Sequence, residues 1–212
     1  MNGVTFGTLH SYNNLSLILT SKKVEAPTPK TLSVEIEGAD GELDLTEYFG
    51  QVNYKNRKLT FEFSYVGQPS NFMTVFSNIQ NQLHGKKMHV ILDDDPNYYY
   101  NGRITVSEWK ANKSIGSITV EIDAEPYKYK LNQTTVSRSV TDSDTIVLTN
   151  DFLHAVPSIT ASAAFTIVFN GVTTAASAGT FTIPTLELSA GSNSISVTGT
   201  GTISFTWQEG RL

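Results

Sequence analysis

Alternation of apolar and polar residues predicts strands across the first 130 residues of the chain. In TLSVEIEG, residues 31–38, Leu32, Val34 and Ile36 alternate with polar residues, which predicts a half-buried strand. Three further segments show the same period of two. Their apolar positions are Leu59, Phe61, Phe63 and Tyr65, then Ile104 and Val106, then Ile118, Val120 and Ile122. KANKSIG, residues 110–116, is expected to be the hairpin connection between the last two strands.

One segment, QPSNFMTVFSNIQNQLHGK, has the period of a helix instead. Its apolar residues lie at spacings that place them on one helical face: Phe72, Phe76, Ile79 and Leu83. Pro69 suits the first helical turn, and Gly85 suits the position just after the last one. We therefore predict one amphipathic helix near residues 69–84, covering one face or end of the sheet.

Short β-branched segments separated by Gly, Asn and Pro fill residues 131–212 and predict a β-sandwich. These segments are DTIVLTN, SITAS, FTIVFNG, GTFTIP, TLELSAG, NSISVTG and TISFTW. The same residues hold only two basic side chains, those of Arg138 and Arg211. This change in composition predicts two domains, 1–130 and 131–212, with EPYKYKLNQ, residues 125–133, as the connector.

Composition excludes several kinds of function. The chain has 212 residues and a formal net charge of −5, which does not favour non-specific binding to nucleic acid. It has no cysteine, so it forms neither disulfides nor thiolate metal sites. The N-terminal segment lacks the basic and long apolar stretches of an export signal, and its LSLILT run is too short to span a membrane. We expect a soluble chain that binds neither membrane nor nucleic acid.

The acidic stretch GADGELDLTEYFG, residues 38–50, has the first ligand positions of a calcium loop. Asp40, Glu42 and Asp44 occupy positions 1, 3 and 5 of an EF-hand pattern. Position 6 is Leu45 where a glycine is needed, and position 12 is Gln51, which cannot give a bidentate carboxylate. The stretch is therefore interpreted as a turn and short crossover rather than a metal site.

In this interpretation Leu43 and Leu45 alternate inward between the carboxylates, as at a strand edge. Arg57 is expected to pair with one of the nearby acids.

Three segments together resemble a known family. The first is VEIEGADGELDLTEYFGQVNYKNRKLTFEF, residues 34–63; the others are EIDAEPYKY, residues 121–129, and ISFTWQEGRL, residues 203–212. Their order is similar to that in distal tail proteins of long-tailed, non-contractile bacteriophages. The residues that match the family pattern are Gly38, Gly41, Asp44, Tyr54, Asn56, Arg57, Pro126, Tyr127 and Tyr129. One departure is Glu37, since the family often has proline before the first turn glycine.

The resemblance implies a mainly β fold. Its first domain would be β-sandwich-like with one helix, and its second a small galectin-like β-sandwich. It implies a structural protein of the virion, assembled in the host bacterial cytoplasm as a hexameric ring that links the tail tube to the tail tip or baseplate. The implied partners are further copies of the chain, the tail tube protein, the tail-tip hub protein and a receptor-binding protein. No catalytic residue, cofactor or metal is implied.

Two other functions remain open from the residues alone. A carbohydrate-binding module or adhesin would use the aromatic side chains of the second domain, although alternation favours a core role for them: Phe169, Phe181, Phe205 and Trp207. A hydrolase would need two facing carboxylates, for which Asp93 to Asp95 with Glu108 are candidates.

The segment LDDDPNYYYNG, residues 92–102, is either a cation or sugar site or, as its turn signals favour, a loop. Tyr98, Tyr99 and Tyr100 are candidate contact residues of an interface, where tyrosine is enriched. The four histidines are His10, His84, His89 and His154, and their spacing does not predict a metal centre.

Overall fold

The structure is a computed structural model that describes residues 3–48, 50–111 and 115–212. The chain divides into two compact units, unit 1 (Met1–Lys128 with Leu212) and unit 2 (Tyr129–Arg211). Both units consist mainly of β-strands. The α-helix in the described part of the chain, Phe72–Leu83, lies in unit 1. The predicted mainly β class is therefore confirmed.

Unit 1 holds nine strands and one helix among its described residues, and its last strand continues into the first residues of unit 2. The strands are β1 (Val4–Phe6), β2 (Leu9–His10), β3 (Leu17–Val24), β4 (Ser33–Glu35), β5 (Glu42–Asp44), β6 (Arg57–Tyr65), β7 (Lys87–Leu92), β8 (Tyr98–Ala111) and β9 (Gly116–Lys130). A 3₁₀ turn, Pro69–Asn71, leads into α1 (Phe72–Leu83).

The main sheet of unit 1 curls around its core. Its strand order is β2-β1-β7-β8-β9-β6-β3, so β1 and β6 are four strand positions apart, about 19 Å in a flat sheet. The ring centroids of Phe6 on β1 and Phe63 on β6 are nevertheless only 6.1 Å apart. This contact closes the curled sheet over a core that includes the predicted apolar positions of β6, β8 and β9.

The helix α1 closes this core at one end. The predicted stripe of Phe72, Phe76, Ile79 and Leu83 is buried, as its spacing required. A Cβ atom at Gly116 would lie 2.2 Å from the Phe72 ring, so a glycine is needed there for the helix to dock on β9. In the described residues, no helix has the length and apolarity to cross a membrane.

Unit 2 consists of two four-stranded antiparallel sheets whose inner faces share one core, as the predicted β-sandwich required. Their strands are β10 (Thr134–Val140), β11 (Ser143–Asn150), β12 (Ser158–Ala161), β13 (Phe165–Phe169), β14 (Val172–Ala176), β15 (Gly179–Thr182), β16 (Gly191–Thr198) and β17 (Gly201–Trp207). The two-residue strand β18 (Gly210–Arg211) pairs with β9 instead. The sheet orders are β10-β17-β12-β15 and β11-β16-β13-β14. Asn170 and Gly171, both with positive φ, form the two-residue turn between β13 and β14.

Several local predictions for strands and connections were wrong. TLELSAG is not a strand; Leu186 and Leu188 are instead buried in the core from a turn that follows Pro184. Most of EPYKYKLNQ is not a connector, because β9 continues to Lys130. The sequence patterns missed β10 and β14, whose Ser, Thr and Ala residues give little apolar alternation. The predicted connection KANKSIG lies partly outside the described residues.

A buried polar contact organises the core of unit 2. The indole N–H of Trp207, which is 2% exposed, donates to Oδ1 of Asn150 at 3.0 Å. The Asn150 amide nitrogen donates in turn to the backbone carbonyl of Leu153 at 2.8 Å. Since a buried polar group without a partner is costly, these bonds fix the strand ends that carry both side chains.

Asn150→Ala is expected to lower the free energy of unfolding by about 2–3 kcal/mol, because it leaves the Trp207 N–H buried and unpaired. Urea unfolding followed by tryptophan fluorescence measures this change. The matched control is Asn132→Ala at an exposed position, which should change stability by less than about 0.5 kcal/mol. Equal effects of the two substitutions would contradict the structural role of Asn150.

Candidate interaction site

A long two-stranded projection, the hairpin arm (residues 25–56), leaves the main sheet between β3 and β6. At its root the Lys55 N–H donates to the Thr28 carbonyl at 2.8 Å, and the Lys30 N–H donates to the Asn53 carbonyl at 2.7 Å. These bonds continue the antiparallel pairing of β3 with β6 beyond the edge of the sheet. The hairpin arm is therefore an extension of the core sheet rather than a separate loop.

The tip of the hairpin arm is formed by β4, β5 and the turn between them. Val34 lies directly opposite Leu43 in this antiparallel pair. The Ala39 N–H donates to the Ile36 carbonyl at 3.1 Å, and Gly38 has a φ of +82°. A glycine at the third position of such a turn accepts positive φ without strain, which explains this residue of the sequence motif.

One face of the tip is apolar and uncovered by the described residues of the chain. Val34 and Leu43 share this face because they are opposite each other, and Leu32 and Ile36 share it because they are two residues away from Val34. These four side chains are between 44% and 50% exposed. The predictions of a half-buried strand at residues 31–38 and of an inward Leu43 were therefore wrong.

The opposite face of the tip is acidic. Glu35 and Glu42 lie directly across from each other on β4 and β5. Like charges at such positions destabilise a strand pair. The sequence from residue 31 to residue 50 contains six acids and no lysine or arginine. An exposed apolar face together with uncompensated like charges is typical of a surface that binds another molecule.

Asp44, one of the motif residues, fixes the turn that follows β5. Its Oδ1 accepts a hydrogen bond from the Thr46 N–H at 2.8 Å. The Thr46 hydroxyl oxygen accepts a bond from the Leu32 N–H at 3.1 Å, which joins the turn to the opposite strand. Hydrogen bonding to the Thr46 side chain and backbone holds the pKa of Asp44 below its usual value.

Arg57 anchors the root of the hairpin arm. It is 6% exposed, its Nη2 donates to the Pro126 carbonyl, and its guanidinium carbon lies 5.5 Å from the centroid of the Tyr100 ring. Within the described residues it forms no ion pair with the acids of residues 38–50, so the predicted pairing was wrong. Burial lowers the pKa of Arg57, and Tyr100 opposes that shift. The ring and the carbonyl replace the expected carboxylate as its partners.

Two motif tyrosines complete this root. The Tyr54 and Tyr127 rings meet edge to face with centroids 6.1 Å apart. Burial and, to a smaller extent, the neighbouring Tyr54 raise the pKa of Tyr127. Asn56 is exposed beside them, and Tyr129 is half-buried as the first residue of unit 2. Gly38, Gly41 and Asp44 thus lie at the tip, whereas Tyr54, Arg57, Pro126 and Tyr127 lie at the root.

The three consecutive tyrosines on β8 all contact other parts of unit 1. Tyr100 is buried under Arg57, and the Tyr99 ring stacks on His89 with centroids 4.0 Å apart. The Tyr98 ring lies 5.0 Å from the Lys128 ammonium nitrogen. Tyr98 and Tyr99 remain partly exposed, and their role as interface residues stays a prediction.

The preceding aspartates do not converge on one site. Asp93 accepts from His10, Asp94 pairs with Lys22, and Asp95 pairs with Lys128. Among the described residues, no group of three or more His, Asp and Glu side chains lies close enough to hold a metal ion.

The hypothetical hydrolase pair is not formed. Glu108 lies ten residues beyond Tyr98 along β8, about 30 Å of strand, and pairs with Lys110. Retaining and inverting glycosidases hold their two carboxyl groups within about 5–9.5 Å of each other. Asp93 to Asp95 and Glu108 are instead paired with four different basic side chains, those of His10, Lys22, Lys128 and Lys110.

The aromatic side chains considered for a sugar platform lie in the core of unit 2 instead. Phe169, Phe205 and Trp207 are buried, and Phe181 is partly buried against the same core. Their interpretation as core residues is confirmed.

Arg57→Lys is expected to destabilise unit 1 by about 1–3 kcal/mol, because a lysine ammonium cannot both bond to the Pro126 carbonyl and stack on Tyr100. Urea unfolding measures this loss, and amide exchange at Lys55 should accelerate as the root loosens. Arg103→Lys, at an exposed position, is the matched control. If both variants unfold like the parent chain, Arg57 is not an anchor.

A carboxyl titration by NMR should place the midpoint of Asp44 below its ordinary value of about 3.9. Because the folded pKa is lowered, the stabilisation by Asp44 is present above the unfolded pKa and is lost as pH falls through the folded pKa. Thr46→Val removes the side-chain partner and should move the midpoint upward, whereas Thr74→Val on α1 should leave it in place. An unchanged midpoint in Thr46→Val contradicts this turn geometry.

The sequence matches no model of a known protein family and no curated protein. The fold, however, is similar to that in the crystal structure of the SPP1 Dit (gp 19.1) protein, described as a paradigm of the hub adsorption apparatus in phages that infect Gram-positive bacteria. The match covers 100% of both chains with a TM-score of 0.72 and 11% sequence identity. The predicted likeness to the distal tail proteins is thus confirmed at the level of the fold, and along its whole length the chain has a fold similar to that of this phage hub protein.

Proposed function

We propose that the chain is a structural subunit of a phage tail, a distal tail protein that joins the tail tube to the tip or baseplate. Two independent features support this function. One is the similarity of fold to a phage hub protein over the whole chain. The other is the set of motifs that resemble the distal tail family, of which Gly38, Gly41 and Asp44 lie at the tip of the hairpin arm and Tyr54, Arg57 and Tyr127 at its root.

The observation that carries the proposal is the uncovered apolar face of the hairpin arm. The core of unit 1 is complete without it, since Phe6, Phe61 and Phe63 are fully buried. Burying the exposed half of each of the four apolar side chains would contribute about 1 kcal/mol per residue. Each such contact would therefore contribute about 4 kcal/mol of apolar burial, which offsets part of the entropy lost on association.

A ring of identical subunits needs a contact in which two different surfaces of each copy meet. The hairpin arm supplies one surface of this kind, because it extends away from its own core. In the proposed hexamer, unit 1 builds the ring and meets the tail tube protein and the tail-tip hub protein. Unit 2, as a galectin-like sandwich, offers a platform for a receptor-binding protein. The role is architectural and needs no catalytic group or cofactor.

Light scattering behind size exclusion should find a species of six times 23.2 kDa, about 139 kDa. Val34→Lys with Leu43→Asp places an opposite-charge pair on the apolar face and should reduce this mass to that of a monomer. The circular dichroism spectrum should not change, because both side chains are exposed within the subunit. A strict monomer of the parent chain at every concentration contradicts a ring that forms by itself.

Val147→Asp is the matched control, since Val147 is similarly exposed on β11 of unit 2. It should leave the hexamer intact. If this control dissociates the ring as strongly as the arm variant does, the hairpin arm is not the element that joins the subunits.

A further inference from the structure

We propose that Asn170 is a site of covalent modification, where the side-chain amide is lost spontaneously by attack of the Gly171 backbone nitrogen. The chain contains three Asn–Gly pairs, which begin at Asn2, Asn101 and Asn170. Asparagine followed by glycine is prone to this reaction, because glycine has no side chain to obstruct the approach of its nitrogen. The three pairs differ in their surroundings, and the modification is independent of the proposed ring.

The reaction needs no other reactant than water. The Gly171 nitrogen forms a bond to Cγ of Asn170 and gives up its proton, while the bond from Cγ to Nδ2 breaks and ammonia leaves. The product is a five-membered succinimide ring. Water then opens this ring at one of its two carbonyl carbons, which leaves either aspartate or isoaspartate at position 170. In isoaspartate the main chain runs through Cγ and is one carbon longer.

The turn between β13 and β14 leaves both reacting groups free. Phe169 and Val172 form the last pair of the two strands, so Asn170 and Gly171 are the two residues of the loop. In a hairpin loop of this length the flanking pair makes the ladder bonds, and the backbone nitrogen of the second loop residue makes none. Within the described residues, neither the Asn170 side-chain amide nor the Gly171 N–H has a hydrogen-bond partner.

The space around this turn is open. Both residues are exposed, and apart from the chain neighbours no described heavy atom lies within 4 Å of the position that a Cβ atom would take on Gly171. Both residues have positive φ, +48° for Asn170 and +78° for Gly171. Glycine adopts such a φ without strain, so Gly171 retains the backbone freedom that ring closure needs. The turn therefore has room for the succinimide ring.

The pair Asn101–Gly102 has the same chemistry in packed surroundings. It lies within β8, which is paired with β7 on one side and β9 on the other. The Asn101 amide nitrogen donates to Oε1 of Glu125 at 2.8 Å, so the side chain is held in place. A Cβ atom on Gly102 would lie 2.5 Å from the Ile122 side chain, which shows how closely the backbone is packed there. Ring closure at Asn101 therefore requires that the sheet first opens.

The pair Asn2–Gly3 is constrained at its attacking nitrogen. Asn2 lies outside the described residues, but the Gly3 N–H donates to Oδ2 of Asp93 at 2.7 Å. This hydrogen bond must break before the nitrogen can attack. We therefore expect Asn2 to react more slowly than Asn170.

Modification changes the charge and the pairing of β14. Residues 152–186 contain no Asp, Glu, Lys or Arg, so either product introduces a single negative charge into this segment. Among the described strands, β14 is at the edge of its sheet and pairs with β13 alone. Isoaspartate lengthens the main chain of a two-residue turn, whose geometry fixes the register of such a hairpin. The isoaspartate form should therefore hold β14 less firmly than the parent chain does.

Peptide mapping by mass spectrometry tests the site. The full chain is incubated in mildly alkaline buffer and digested at low pH, and each Asn–Gly pair is followed by its mass increase of about 1 Da. Asn170 should convert at least tenfold faster than Asn101 in the folded chain, because only its turn is open. In urea, where the structure is lost, the two should convert at similar rates. Equal rates in the folded chain, or an Asn170 that stays intact while the unfolded chain converts, would overturn the proposal.

Amide exchange tests the consequence for β14. The isoaspartate form is separated by chromatography and compared with the variant Asn170→Asp, which carries the same charge on an unchanged main chain. Exchange at the amides of Val172 and Thr174, which pair with Phe169 and Ile167, should be at least fivefold faster in the isoaspartate form than in the variant. Exchange in β17 should be equal in both. Equal exchange in β14 would contradict the loosening of this hairpin by the added carbon.

Discussion

β6 pairs in antiparallel register with β9 on one side and β3 on the other. This pairing fixes which side chains of unit 1 point into the core and where the hairpin arm is anchored. It places Phe61 opposite Val120 and Phe63 opposite Ile118, so both rings point into the core. A slip by one residue would turn each of these side chains to the outer face. The same register places Arg57 opposite Ala124, where it reaches the Pro126 carbonyl and the Tyr100 ring.

The hairpin arm follows from this constraint. Beyond Val24 and Leu59, where β3 and β6 are last paired, the chain leaves the sheet as a two-stranded ribbon joined by the Lys30 and Lys55 N–H bonds. The ribbon is held at its root by Arg57, Tyr54 and Tyr127. At its tip it carries apolar side chains that are not part of the core of unit 1. A folded core with an uncovered, hydrogen-bonded projection is an arrangement suited to assembly, because the projection offers an apolar surface that the core does not need.

Periodicity predicted the parts of the fold that the chain completes alone. The spacing from Phe72 to Leu83 gave the helix and its buried face, and the alternation in β6 and β9 gave the core positions. The segment around Val34 has the same alternation, yet its apolar face is exposed. Alternation shows that one face of a strand is apolar; it does not show whether the covering surface belongs to the same chain.

The partners of Arg57 also depended on the strand register, which local sequence did not reveal. The six uncompensated acids around the tip were the available signal that this hairpin differs from a core strand.

Hydrogen–deuterium exchange of the hairpin arm tests the central claim most directly. Amides of residues 32–44 would be compared between the monomer at high dilution and the isolated assembly, with β16 of unit 2 as the internal reference. If the hairpin arm forms the contact between copies, amide exchange at the tip slows at least tenfold in the assembly, because its apolar face becomes covered. Exchange in β16 is then unchanged. Equal exchange at the tip in both states would show that the hairpin arm does not form the contact between copies.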